Sequence, residues 1–153
     1  MTENIKELII KEAYKHFHVY GFKKTPIDQI SSNLGISKKT LYKHFHSKEL
    51  LIKAVIEQII APLNKEIDSV LEKKSSISET ANVLFNVIQK ISVEVSRPMV
   101  DDMRTLPRAW NLIEEKRRKA LEKFAIILER DQAEGIVRDD LDVNLLVRIL
   151  INT

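Results

Sequence analysis

The chain has 153 residues, enough for one domain or for a small domain joined to a larger helical body. Its 44% hydrophobic and 31% charged residues describe a soluble globular protein and exclude a disordered one. It has no cysteine, which excludes disulfides and thiolate metal sites and fits a reducing cytoplasm; no signal-peptide pattern or apolar run of about 18 residues points to export or a membrane.

The net charge of +3 is unevenly spread. Residues 1–53 hold ten lysines against five acids, while the rest of the chain holds fifteen Lys and Arg against seventeen acids. All four histidines (His16, His18, His44, His46) lie in the first segment. A basic N-terminal unit on a near-neutral body is the footprint of a phosphate-bearing partner. A plain solvated lysine surface is the other reading.

Apolar residues recur every 3.6 positions along the whole chain and no period-2 strand stands out, so the chain reads as all-α. Helix one covers residues 4–20, with Ile5, Leu8, Ile9, Ala13, Phe17 and Tyr20 as its apolar stripe. Gly21 ends it, and Phe22 can fold back on the last turn. Helix two opens with Thr25 as cap and Pro26 in the first position, with Asp28 in the acidic first turn. Ile27, Ile30 and Leu34 face inward, and Gly35 stops the helix.

Helix three follows a three-residue turn, Gly35-Ile36-Ser37, which makes helices two and three a helix-turn-helix candidate. Leu41 and Phe45, at i and i+4, define its buried face, so Lys39 and Lys43 point directly away. Thr40 and Tyr42 lie on the flanks, with Lys38 and His44 nearer the core edges. The exposed face thus offers cations, a hydroxyl and a phenol, which donate to phosphate oxygens or to base edges in a major groove. Ser37 can cap helix three and Ser47 helix four. Lys38 and Lys39 directly follow the first cap and Lys48 the second, against the positive end of each helix dipole. Cations placed against that preference point to an outside anion, read here as the DNA phosphate backbone.

Helix four carries Leu50, Leu51, Ala54, Val55 and Ile59 and links the N-terminal unit to the body. Pro62 kinks or breaks it. A further helical stretch reaches residue 74, and residues 73–78 form a polar loop. The body resumes with Ser78 as cap and an apolar face of Val83, Leu84, Val87, Ile88, Ile91 and Val95. A short helix spans residues 98–105, and a long one runs from 108 to 134 and closes at Gly135. Its charged run from Glu114 to Lys119 is a solvated face. A last helix opens near Asp142 and stops mid-pattern at Thr153, which suggests a truncated chain, further residues or a partner surface.

No metal or cofactor site is expected. His16 and His18 do not share a helix face, His44 and His46 fare no better, and no His-Glu-x-x-His or Glu-x-x-His pattern occurs. The acidic pairs Asp101-Asp102 and Asp139-Asp140 are sequence neighbours rather than a converging dyad. With no nucleophile motif or phosphate loop either, the chain does not read as an enzyme.

Residues 5–55 resemble the DNA-binding domain of TetR-family transcriptional regulators. The resemblance rests on Ile9-Ile10-Lys11-Glu12-Ala13, Phe17, Tyr20-Gly21-Phe22, Thr25, Ile27-Asp28-Gln29-Ile30, Leu34-Gly35-Ile36-Ser37, Thr40-Leu41-Tyr42-Lys43-His44-Phe45 and Ser47-Lys48-Glu49-Leu50-Leu51. The rest of the chain matches only in layout. The resemblance implies a helix-turn-helix DNA-binding domain over residues 1–47 and a helical ligand-binding and dimerisation domain over 48–153. It implies a homodimer on a near-palindromic double-stranded DNA operator, released by a small apolar or amphipathic effector, most often as a repressor.

Carried onto this sequence, Thr25 would contact phosphate. Ser37 would join the DNA-binding residues while capping the reading helix. Lys38, Lys39 and Thr40 would enter the major groove with Tyr42 and Lys43, while His44 and Lys48 hold the backbone. The larger apolar side chains near the implied effector cavity are Phe85, Ile88, Met99, Met103, Leu106, Trp110 and Phe124, with Arg97, Asp101, Asp102 and Arg104 as polar handles; most of these apolar residues serve equally as ordinary core. The competing reading is a helical binding module whose basic end serves another anionic partner, such as a membrane surface or an acidic protein. Thr40 and Tyr42 among the cations, and the tight turn at Gly35, favour DNA.

Overall fold

The computed structural model describes residues 2–73 and 76–151. Its helices are α1 (Thr2–Lys24), α2 (Ile27–Asn33), α3 (Lys38–His44), α4 (Lys48–Glu72), α5 (Ile77–Glu94), α6 (Arg97–Met103), α7 (Pro107–Ala133) and α8 (Val143–Ile151), and no strand occurs among the described residues. They fall into two compact units, one of residues 1–61 and 91–110, the other of 62–90 and 111–153.

In the first unit, α1 packs on α6 and on α2, and α2 packs on α3. Ile9, Ala13 and Phe17 are fully buried along one line of α1. Leu8 and Tyr20 were assigned to the same stripe by periodicity, yet they are 47% and 51% exposed. Leu8 lies too far round the helix from that line. Tyr20 shares the face but sits in the last turn, its ring stacked near His16 with centroids 6.2 Å apart. Phe22 takes the buried place instead, returning from Gly21 to meet Phe17 edge-on at 5.1 Å.

Gly21 holds φ 81° and ψ 175°, a combination open essentially to glycine alone. A Cβ at this position would lie 2.5 Å from Asp102 Oδ2 and 3.0 Å from the Pro98 carbonyl oxygen. The glycine therefore sets both the bend and the close approach of α6. Gly35 (φ 63°) closes α2 as expected, with Ile36 N–H on the Ser31 carbonyl and Gly35 N–H on that of Ser32, both at 3.0 Å.

Two further bonds tie α1 to the end of α5 within this unit. The Tyr14 hydroxyl donates to Glu94 Oε2 at 2.7 Å, and His18 Nε2 lies 3.1 Å from the Val93 carbonyl oxygen. Burial, then the Glu94 carboxylate, pushes the Tyr14 phenol up to about 12.

Two features differ from the sequence reading. α4 runs through Pro62 without ending: the proline removes one helical hydrogen bond, but the turns on both sides continue. On the face of α4, Ile52 and Ile56 are buried with Leu51 and Val55, and Leu50 is exposed. The cap before α5 is Ser76, not Ser78. Its Oγ accepts from Glu79 N–H at 3.3 Å and Glu79 Oε2 accepts from Ser76 N–H at 2.8 Å, a reciprocal capping box. The polar loop assigned to 73–78 includes residues 74 and 75, which lie outside the described residues.

The second unit has its own core, in which Leu128, Val143 and Val147 pack with Leu121, Phe124, Ala125, Val137, Leu141 and Leu146. Gly135 (φ 71°) ends the long helix after Ala133. Asp142 caps α8 by accepting from Leu145 N–H at 2.9 Å. Ion pairs Lys90–Glu66 and Lys123–Asp68 join its helices.

Two outcomes follow from the α1 junction. Gly21→Ala should cost more than Gly35→Ala in urea denaturation, although both have positive φ. The first meets Asp102 and Pro98 and loses about 1–3 kcal/mol for the backbone alone; around Gly35 a Cβ meets nothing within 4 Å. Equal losses would contradict the close approach. Ultraviolet titration should show one tyrosine ionising near pH 12 and vanishing in Tyr14→Phe. Because the folded state holds that proton more tightly, the stability it lends is full below the ordinary tyrosine range near pH 10 and is lost as pH rises through about 12.

Candidate nucleic-acid interface

The interface candidate is built by α2, the turn at residues 34–37, and α3. Ser37 is the N-cap of α3, its Oγ accepting from Thr40 N–H at 3.0 Å and sharing a 2.8 Å bond with Thr40 Oγ1. Leu41 is fully buried and Phe45 nearly so, which fixes the rotation of the helix. Lys39 and Lys43 are exposed on the opposite side, with no ionic or hydrogen-bonding partner among the described residues. Tyr42 and His44 are half-buried on the flanks. The Tyr42 carbonyl oxygen lies 3.2 Å from His46 Nδ1. On the core side, Lys6 of α1 stands 5.6 Å over the Phe45 ring, a further cation beside the end of α3.

Three of the nine residues expected at the DNA have partners within the chain. Thr25 is fully buried, and its Oγ1 donates to the Gly21 carbonyl at 2.8 Å. Its side chain therefore closes the α1 junction. Nor does it cap α2: Pro26 holds that position, with no side-chain bond to the helix. Lys38 has an internal anion, its Nζ lying 2.9 Å and 3.1 Å from the two oxygens of Asp28 on α2. The Asp28 carboxylate holds the Lys38 ammonium above the usual lysine range. The lysine against the α3 dipole is thus partly answered within the chain.

Lys48 is the third. Ser47 caps α4 as the sequence indicates, with Leu50 N–H donating to its Oγ at 3.2 Å. Yet Lys48 is half-buried, and its Nζ donates to the Lys23 carbonyl at 3.4 Å, at the end of α1. Burial pushes the Lys48 ammonium below the usual lysine range, and the Asp102 carboxylate pulls it back up. Asp102, read from sequence as a handle for an effector, instead accepts from Lys23 N–H at 2.8 Å.

Sequence reasoning also missed the polar tie between α1 and α2. Asn33 Nδ2 donates to Glu12 Oε1 at 3.0 Å and lies 2.8 Å from His16 Nε2, and His16 is 3.3 Å from Glu12. Helical spacing could have paired Glu12 with His16 (i, i+4), but Asn33 is brought in only by the turn at Gly21.

The seven residues assigned to an effector cavity divide between the units. Met99 and Met103 are buried core of the first, where Leu106 and Trp110 are half-buried. In the second unit, Phe85 is 61% exposed rather than enclosed, and the side chain of Ile88 lies outside the described residues. Phe124 lines a cavity of about 10 Å³ with Ile67, Val70, Thr80, Val83, Ala120 and Ile127. That is room for about one water molecule, far below the roughly 300–1,000 Å³ of a small-molecule site.

Comparison with known proteins bears on this arrangement. Residues 9–55 match the profile of a family described as bacterial regulatory proteins, tetR family. The chain is 25% identical over 154 residues to the HTH-type transcriptional repressor KstR2 of Mycolicibacterium smegmatis, covering 97% of this chain and 75% of that protein. It is 34% identical over 83 residues to the uncharacterized HTH-type transcriptional regulator YvaF of Bacillus subtilis, covering 54% of this chain and 40% of the relative. The structure of the ketosteroid transcriptional regulator KstR2 of Mycobacterium tuberculosis superposes with a TM-score of 0.72 at 22% identity, over 95% of this chain and 76% of that one, which establishes a shared fold.

Removing the Ser37 cap should cost about 1 kcal/mol of stability in Ser37→Ala, and Leu41→Ala about 2–5 kcal/mol, both by chemical denaturation. A Leu41→Ala loss below that of Ser37→Ala would mean that Leu41 is not what fixes the helix.

Proposed function

Residues 9–55 are a DNA-binding domain of the TetR family of bacterial regulatory proteins, and from that premise we propose a ligand-responsive transcriptional repressor acting as a homodimer. The observation that carries the reading is the orientation of α3. Leu41 and Phe45 are pinned inward, so Lys39 and Lys43 are presented outward with Tyr42 beside them. Lysine ammonium groups bind phosphate oxygens without regard to sequence. Tyr42 and Thr40 add groups that discriminate base edges. The relatives KstR2 and DhaR are named transcriptional repressors.

Function divides at residues 1–47, which meet DNA, and 48–153, which bind effector and partner subunit. Two copies place their α3 helices in successive major grooves, about 34–36 Å apart, on a near-palindromic operator. An effector shifts the dimer only by its differential affinity for the two states. One structural relative is a ketosteroid transcriptional regulator, and an apolar or amphipathic effector suits Phe124 and its aliphatic neighbours. The small cavity there must open for such a molecule to enter.

DNA binding should be measured by fluorescence anisotropy on the promoter segment nearest the gene, across a salt series. Sequence-dependent binding that weakens steeply with salt is expected. Lys39→Ala and Lys43→Ala should each weaken binding to all sequences and reduce the salt slope by about one unit, whereas Tyr42→Ala should change sequence preference. Lys38→Ala should have a smaller effect, since Asp28 already neutralises it. Binding to anionic vesicles without salt-sensitive DNA binding would favour a basic face for another partner and would overturn the repressor.

A further inference from the structure

The end of α1, the start of α4 and α6 meet at one residue. Lys23 N–H donates to Asp102 Oδ2 at 2.8 Å, and the Lys23 carbonyl accepts from Lys48 Nζ at 3.4 Å. A single residue is thus gripped at one end by a carboxylate of α6 and at the other by an ammonium of α4. The grip is close because Gly21 lacks a side chain: a Cβ there would sit 2.5 Å from the same Asp102 oxygen. Asp102 also acts on Lys48 at a distance, its charge opposing the effect of burial on the ammonium. Lys48 is therefore a cation at the DNA-facing end of the chain that is already engaged within it.

Resting on the DNA-binding reading, we propose that Asp102 is a positioning residue that sets how available Lys48 is to a DNA phosphate. With Asp102 in place, Lys23 is held where its carbonyl satisfies Lys48, and the carboxylate supplies the negative charge that a phosphate would otherwise supply. A phosphate must compete with both. When Asp102 moves away or loses its charge, the local field becomes more positive and Lys48 swings toward the backbone. Asp101, its exposed neighbour on α6, has no such bond and provides the control.

Asp102→Asn and Asp102→Ser keep an acceptor for Lys23 N–H but remove the charge. Each should tighten DNA binding by roughly two- to fivefold at low salt, the scale of one partly screened charge pair, while Asp101→Asn changes nothing. In a Lys48→Ala background the gain should disappear, a non-additivity that a merely structural clasp would not produce. A second measurement needs no DNA. In the NMR titration of the Lys48 side chain, Asp102→Asn should lower the pH at which the ammonium deprotonates, and Asp101→Asn should not.

Unchanged Lys48 titration in Asp102→Asn would overturn the proposal whatever happens with DNA. A shifted titration with unchanged or weakened binding would also overturn it. If the unmodified chain shows no salt-sensitive DNA binding, the repressor reading falls, and the proposal falls with it, even where the titration confirms that Asp102 and Lys48 are coupled. Failure of both Asp102 variants to fold would make Asp102 a structural clasp and overturn the positioning role.

Discussion

The bend at Gly21 is the constraint on which the N-terminal unit depends. Its backbone lies where side-chain-bearing residues are strained, and its missing Cβ admits Asp102 and Pro98 of α6. Everything local follows from that geometry. Phe22 turns back to pack on Phe17, Thr25 is drawn inside to bond the Gly21 carbonyl, and α2 is set where Asn33 reaches Glu12 and His16. Since α2 carries α3 through the tight turn at Gly35, the bend at the end of α1 ultimately aims the reading helix. A backbone choice at one residue thus reaches the candidate DNA surface through packing alone.

The charges of the interface divide by how much of their demand the chain meets itself. Lys38 is paired with Asp28, and Lys48 is occupied by the Lys23 carbonyl under the influence of Asp102. Lys39 and Lys43 are left to solvent. Exposed cations lose little by waiting in water and gain by displacing counterions from DNA. Occupied ones must first give up an internal partner, so their contribution can be tuned. On the proposed reading, the free lysines would supply affinity and the engaged ones a point at which affinity can change.

Much of this was legible in the sequence. Spacing alone identified Leu41 and Phe45 as the buried pair of α3 and Lys39 and Lys43 as outward, because a seven-residue helix between a serine cap and a following turn has few rotations that bury its apolar residues. The glycine stops at Gly35 and Gly135 were legible for the same local reason. Elsewhere the structure adds what helical spacing alone does not carry. Thr25 has the sequence of a cap but lies behind a bend that redirects its hydroxyl. Ser78 looked like a cap until Ser76 proved to have Glu79 three residues on, a pairing the sequence did contain. Asp102 and Lys48 are 54 positions apart, and no periodicity joins them; only the α1–α6 contact does. The effector site was the least legible part, since Phe85 and Phe124 are equally apolar in sequence and the fold exposes one while lining a small cavity with the other.

On the proposed reading, α3 presents one face to DNA, and its rotation is fixed by Leu41 and Phe45. The most direct test is an amide NMR titration of the protein with duplex DNA from its own promoter. The largest shifts should fall on Lys39, Thr40, Tyr42 and Lys43, with smaller ones near Ser47 and Lys48, and little change on the solvent face of α7 around Arg118 and Glu122. Shifts centred on α7, or none on α3 at saturating DNA, would contradict it.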